Sequence, residues 1–114
     1  MFEGDLLRSI AVPVVLRLLN EKAMYGYEVI KEVHNRTNGE FQWKEGTLYP
    51  CLHRMEGEGL IKSEWQKSES GRKRKYYLLT SKGKKQMEVK VEEWGKFVES
   101  VNSLFIPFKD APQA

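Results

Sequence analysis

The stretch GTLYPCLHRMEGEGLIKSEWQKSESGRKRKYYLLT, from Gly46 to Thr80, constrains this chain more than any other. Leu48, Leu52 and Met55 are spaced by four and three, the period of one buried helical face. Gly57-Glu58-Gly59 follows, and a glycine just past a helical pattern is the usual stop. Leu60, Ile61 and Trp65 open an extended run, and Ser68 to Gly71 has turn chemistry. Tyr76, Tyr77, Leu78 and Leu79 are β-prone and lead out of that turn. A helix, a tight turn and a two-stranded ribbon with a basic tip form a shape suited to holding a duplex.

Upstream, residues 5–20 are apolar at Leu6, Leu7, Ile10, Ala11, Val14, Val15, Leu18 and Leu19, a stripe wider than one helical face. Pro13 removes the bond to the Ser9 carbonyl and is expected to kink this helix. The helix is either purely core or faces both its own core and a partner. YGYEVIKEVHNRT is helical, with Tyr27, Ile30 and either Val33 or His34 on one side. Tyr25-Gly26 opens it, Asn38-Gly39 closes it, and Phe41-Gln42-Trp43 is a short extended piece. Three helices followed by a ribbon make a winged helix. The predicted fold is therefore mainly α with a small β-hairpin wing, a winged helix-turn-helix over residues 1–80.

From Ser81 the helical pattern runs to about Phe105. Met87, Val91, Trp94, Val98, Val101 and Phe105 are spaced by four, three, four, three and four, a heptad seam flanked by Lys and Glu. Phe97 and Leu104 widen it. A seam this narrow suits another helix, so residues 81–106 are predicted to be a C-terminal dimerisation helix. Its interface would take those six seam residues together with Leu7. The opposing reading is that the helix folds back on its own domain. Against that, the winged-helix unit is already complete at Thr80. Residues 107–114 are expected to form a fraying tail.

Charge separates the chain further. Residues 60–90 carry ten Lys or Arg against three Glu, whereas the whole chain has a net charge of +3, so the remainder is net acidic by four. Positive charge gathered into one segment points to a local polyanion contact. The single cysteine, Cys51, excludes a disulfide framework and sits in an apolar helical pattern as a small buried hydrophobe. His34 and His53 have no cysteine or carboxylate at ligand or triad spacing, and Gly57 with Gly59 is no phosphate loop. Neither an enzyme, a metal site nor a cofactor is expected. No apolar run approaches the ~20 residues that cross a bilayer, neither end reads as a targeting peptide, and a cytoplasmic protein is expected.

The run GTLYPCLHRMEGEGLIKSEWQKSESGRKRKYYLLTSKG resembles the signature of PadR-type transcriptional regulators. Tyr25-Gly26-Tyr27-Glu28 upstream and the helix with Trp94 downstream match in position, and the resemblance spans about Leu6 to Leu104. It implies a cytoplasmic homodimer with an N-terminal winged helix and a C-terminal dimerisation helix. It also implies a repressor that releases its operator when a small, often aromatic, ligand binds between the dimer halves. By that resemblance Leu7, Ala11, Val15, Val91, Trp94 and Val98 are the effector candidates. Simple helix packing is the other reading of Trp94. One departure is that Lys44 and Glu45 stand where the family often has a serine cap. Glu45 still favours the helix dipole.

Candidate contacts to double-stranded DNA fall on two elements. The N-terminus of the Gly46 helix offers unpaired amides to phosphate, Pro50 fixes its first turn, and Thr47, Tyr49, His53 and Arg54 continue the exposed side. The alternatives are that Tyr49 packs in the core and that Arg54 pairs with Glu58. On the wing, strand alternation sends Arg72 and Arg74 to one side and Lys73 and Lys75 to the other, one pair toward a groove. Tyr25, Lys31 and Lys44 are further phosphate candidates. A winged helix used for protein or RNA contact is the alternative function, and it needs no cationic tip.

Overall fold

The computed structural model describes residues 4–106, so the predicted tail over residues 107–114 lies outside the described residues. The helices are α1 (Asp5–Ser9), α2 (Ala11–Glu21), α3 (Gly26–Arg36), α4 (Glu45–Gly57) and α5 (Ser81–Phe105). The strands are β1 (Met24–Tyr25), β2 (Ile61–Lys67) and β3 (Lys73–Leu79). They form one antiparallel sheet in the order β1-β3-β2. The fold is mainly helical with a small winged sheet, as the sequence implies. The wing gains a third strand, because Met24 and Tyr25 pair with Tyr77 and Tyr76.

The expected kink at Pro13 is corrected. The break falls at Ile10, which leaves helical geometry (φ −105°, ψ 3°) and separates α1 from α2. Pro13 is third in α2, where a backbone N–H has no intrahelical acceptor in any case, so its ring removes no ladder bond. The breadth of the apolar stripe is explained by burial of Leu7, Ile10, Ala11, Val15, Leu16, Leu18 and Leu19, with Leu6 left exposed.

The buried side of α3 is also corrected. Gly26, Val29 and Val33 face the core with Ile30 partly buried, whereas Tyr27 is 51% exposed and His34 is exposed. The helix is rotated because the ring of Tyr49 from α4 lies directly on Gly26. Asn38 and Gly39, both at positive φ, close α3 as the sequence suggests.

In α4 the buried set is Leu48, Cys51, Leu52 and Met55. Cys51 is buried as a small hydrophobe, its thiol directed at the Met55 sulfur at 3.7 Å. The helix ends in a Schellman motif: Leu60 N–H donates to the Met55 carbonyl and Gly59 N–H to that of Glu56, with Gly59 at φ +77°. That geometry turns the chain directly into β2. Trp43 joins the core, and its indole N–H finds no acceptor among the described residues.

The start of α5 is fastened to this turn. The Thr80 hydroxyl donates to the Gly59 and Leu60 carbonyls and accepts from Gly83 N–H, and the Lys82 ammonium donates to the Glu58 carbonyl at 2.8 Å. Gly83 lies so close to the Leu60 carbonyl oxygen that a Cβ would overlap it. Met87 is only 8% exposed and joins the central core. The seam is therefore divided: its first member packs within its own chain. Beyond it, Val91, Trp94, Phe97, Leu104 and Phe105 stand exposed, with Val98 and Val101 partly so. At 1.5 Å per residue α5 is about 37 Å long, and it projects from the rest. The radius of gyration of 16.4 Å accordingly exceeds the ~13 Å of a compact domain of about 100 residues.

Candidate nucleic-acid interface

Amphipathic α4 leaves one side open. Gly46, Pro50, His53 and Gly57 are exposed along it at spacings of four, three and four, with Arg54 beside them. Thr47 is partly exposed at the first turn. The Lys44 carbonyl accepts from the Thr47 and Leu48 amides, each at 3.0 Å, and α4 has no side-chain cap, as expected from Lys44-Glu45. Amides earlier in that turn remain directed out of the helix end, where they can meet an anion.

Tyr49 does not lie free on the open side. Its ring covers Gly26 and is partly buried against the core. Burial, and then the nearby Glu45 carboxylate, push the phenol above its ordinary pKa. Tyr49 is thus a neutral hydroxyl donor at physiological pH. It ties α3 to α4 with its ring while its tip reaches the rim of the site.

The ribbon is positioned by Glu56 on α4. Its carboxylate accepts from the Ser63 hydroxyl at 2.6 Å and lies 4.0 Å from the Lys75 ammonium. The register pairs Ser63 with Tyr77, Trp65 with Lys75 and Lys67 with Lys73. All six belong to the face that also carries buried Ile61, so this face of the wing turns toward α4. Arg74 is on the other face. Its guanidinium lies 4.4 Å from the centroid of the Tyr25 ring, which meets Tyr76 edge-on at 5.4 Å. Arg74 and Lys75 are thereby engaged with their own chain, and Arg72 and Lys73 form the exposed cationic tip. At that tip Gly71, at φ +86°, completes a turn in which Ser68 N–H donates to the Arg72 carbonyl.

A cleft of about 410 Å³ opens between the wing, α4 and the start of α3. Of the residues expected at a DNA surface, it brings together Tyr25, Tyr49, His53, Lys73, Arg74 and Lys75. Lys44, Thr47, Pro50, Arg54 and Arg72 stand outside it, on α4 and on the wing tip. Lys31, on α3, lies 5.8 Å from the Tyr27 ring. The cleft also contains Tyr27 and Trp65, which residue spacing alone does not place there. The only signal for them is strand and helix phase: Trp65 alternates with Ser63, and Tyr27 follows a glycine that is itself a core position.

A family model of the Transcriptional regulator PadR-like family matches residues 15–89, which run from within α2 through α3, α4 and the whole wing into the first part of α5. The chain belongs to that family. It is a transcriptional regulator and not an enzyme, and PadR regulators bind DNA, which supports a DNA partner. The PadR-like fold is seen directly in relatives. A transcriptional regulator from Clostridium thermocellum superposes with a TM-score of 0.79 at 34% identity, covering 94% of this chain and all of that one. A PadR-like transcriptional regulator from Bacillus cereus gives 0.79 at 32%, covering 91% and 99%. A protein of Lysinibacillus sphaericus is 40% identical over 102 residues, 90% of this chain and 94% of that one.

In this PadR-like chain the residues expected to hold an effector do not come together: three lie in the core, two line a cavity, and Val98, partly exposed farther along α5, belongs to neither. Leu7, Ala11 and Val15 are buried in the chain's own core, so Leu7 is also not free to meet a second copy. Val91 and Trp94 line an apolar cavity of about 270 Å³ with Ile10, Pro13, Val14, Arg17 and Leu18. Trp94 stacks on Phe97 (5.6 Å, 20° between planes) and borders a larger groove of about 930 Å³ that reaches Gly57, Glu58 and Lys82. No helix among the described residues is long and apolar enough to cross a membrane.

Proposed function

We propose that this chain is a homodimeric repressor that holds a pseudo-palindromic operator with α4 and the wing of each copy. The observation that carries the reading is the cleft itself. The open side of α4 and the cationic wing face one another across it, in a family whose partner is DNA. His53 and Arg54 of α4 stand where base edges are read, with Tyr49 and Thr47 beside them. Arg72 and Lys73 hold phosphate on the wing, and Lys44 with the first turn of α4 holds phosphate at the other end.

Dimerisation is supported by the exposed row Val91, Trp94, Phe97, Leu104 and Phe105, since an apolar strip of this kind on a projecting helix calls for a partner helix. Two copies so joined address half-sites about one helical turn, ~34 Å, apart or a small multiple of it. A small flat aromatic effector would bind at Trp94, against Pro13, Val14, Leu18 and Val91, and would act in the cytoplasm by changing the spacing of the two wings. Selection from a randomised duplex pool tests this reading. It predicts enrichment of an inverted repeat bound by two chains, and no enrichment at moderate salt would contradict it.

A further inference from the structure

We propose that Trp65 is a non-ionic contact to the duplex backbone, its indole lying on a deoxyribose and its N–H donating to the adjacent phosphate. The inference rests on the DNA-binding reading above and deepens it.

The α4-facing side of the ribbon changes along its length. Near the core it is apolar, with Ile61 and Tyr77 both buried. In the middle the Ser63, Glu56 and Lys75 side chains latch it to α4. Past that latch come Trp65, Lys67 and Lys73, all exposed. Trp65 is 69% exposed and takes no part in the hydrophobic core, unlike Trp43, which is buried. Strand propensity alone favours an aromatic residue here, yet it does not explain an indole with so little packing. The residue directly across the ladder, Lys75, lies instead over the Tyr77 ring at 5.5 Å.

What surrounds Trp65 is the DNA cleft, where it shares the lining with His53 and Lys73. An indole offers an apolar plane and one donor, the pair of properties that a sugar and its phosphate accept. Cations farther along the same face toward the tip, Lys67 and Lys73, would already hold that strand close.

Such a contact has a signature that separates it from the cations. Removing about 60 Å² of ring from water corresponds to about tenfold in affinity, whereas deleting a phosphate-bound cation also lowers the slope of log affinity against log salt by about 0.9. The test uses the full chain and a duplex enriched by the wild-type protein from a randomised pool, together with a scrambled duplex of the same composition. Anisotropy titrations across a salt series compare wild type, Trp65→Ala, Trp65→Phe and Lys73→Ala. Trp65→Ala is expected to weaken binding about tenfold on both duplexes with the salt slope unchanged. Trp65→Phe is expected to recover part of the loss, and Lys73→Ala to lower the slope. Wild-type affinity in Trp65→Ala overturns the proposal. So does a loss confined to the enriched duplex, which would make Trp65 a base reader, or a slope that falls as in Lys73→Ala. An unfolding midpoint lowered in step with affinity would assign Trp65 a folding role instead. A wild-type chain that binds neither duplex would overturn the DNA-binding reading itself, and this contact with it.

Discussion

Replacing Gly26 with alanine tests the joint between α3 and α4. A Cβ at this position would lie 2.6 Å from the Tyr49 hydroxyl oxygen and 2.7 and 2.8 Å from two ring carbons. No rotation of the hydroxyl relieves that overlap, so the whole ring must leave or α3 must move from α4. Overpacking of this kind costs about 1–3 kcal/mol. Alanine recovers roughly 0.5–1 kcal/mol of helix propensity and unfolded-state entropy. The net expectation is a loss of about 1 kcal/mol, and at most about 2.5 kcal/mol, with the unfolding midpoint falling by roughly 4–8 °C for each kcal/mol in a domain of this size. Chemical and thermal unfolding of Gly26→Ala, Tyr49→Ala and the double variant form the assay. In the Tyr49→Ala background the Gly26→Ala substitution should be neutral or stabilising, because the ring it strikes is gone. An equal loss in both backgrounds would refute the steric account. Since Tyr49 sits at the rim of the cleft proposed to hold DNA, Gly26→Ala should also weaken duplex binding.

Gly83→Ala should cost about 3 kcal/mol, because its Cβ meets the Leu60 backbone oxygen rather than a movable side chain; thermal unfolding measures it. A Leu104→Ser, Phe105→Ser double variant should shift sedimentation toward monomer by at least tenfold in dimer affinity, with little change in monomer fold, because both side chains are exposed. Glu21 accepts two bonds from the Arg36 guanidinium, which hold its carboxyl below the ordinary value of 4.5. Its stabilising effect is therefore present above that pH and lost as pH falls through the lowered value. Glu21→Gln should lose less than about 1 kcal/mol at neutral pH, the pair being exposed, and nothing at strongly acid pH in a pH series of midpoints. Burial pushes the Cys51 thiol above its ordinary pKa of 9.0, so a thiol reagent should label it no faster than the chain unfolds.

Much of the framework could be read from residue spacing. Leu48, Leu52 and Met55 set the phase of α4, and Gly59 marked its end, because local backbone chemistry decides both. The turn at Ser68 to Gly71 was legible for the same reason. Strand β1 was not, since two residues carry no period and Met24-Tyr25 is a strand only by pairing with β3. Pro13 misled because position within a helix, not presence, decides what proline does. The phase of α3 was hidden by Gly26, a core position with no side chain to announce it. A continuous heptad could not reveal that Met87 packs at home while Phe105 does not. At the wing, the four-cation run was visible, but the division between engaged Arg74 and Lys75 and exposed Arg72 and Lys73 depends on Tyr25 and Glu56 from distant segments.

Two copies are proposed to hold a duplex between α4 and the wing tip of each. The salt dependence of binding in an Arg72→Ala, Lys73→Ala double variant, measured on a duplex enriched by the wild-type chain, tests this most directly. These two are exposed cations of the tip, and removing them leaves the Arg74–Tyr25 and Lys75–Glu56 pairs in place. Weaker binding to any duplex is expected, with a slope smaller by about 0.9 for each phosphate that is no longer neutralised. A slope and affinity equal to those of the wild-type chain would contradict the proposal.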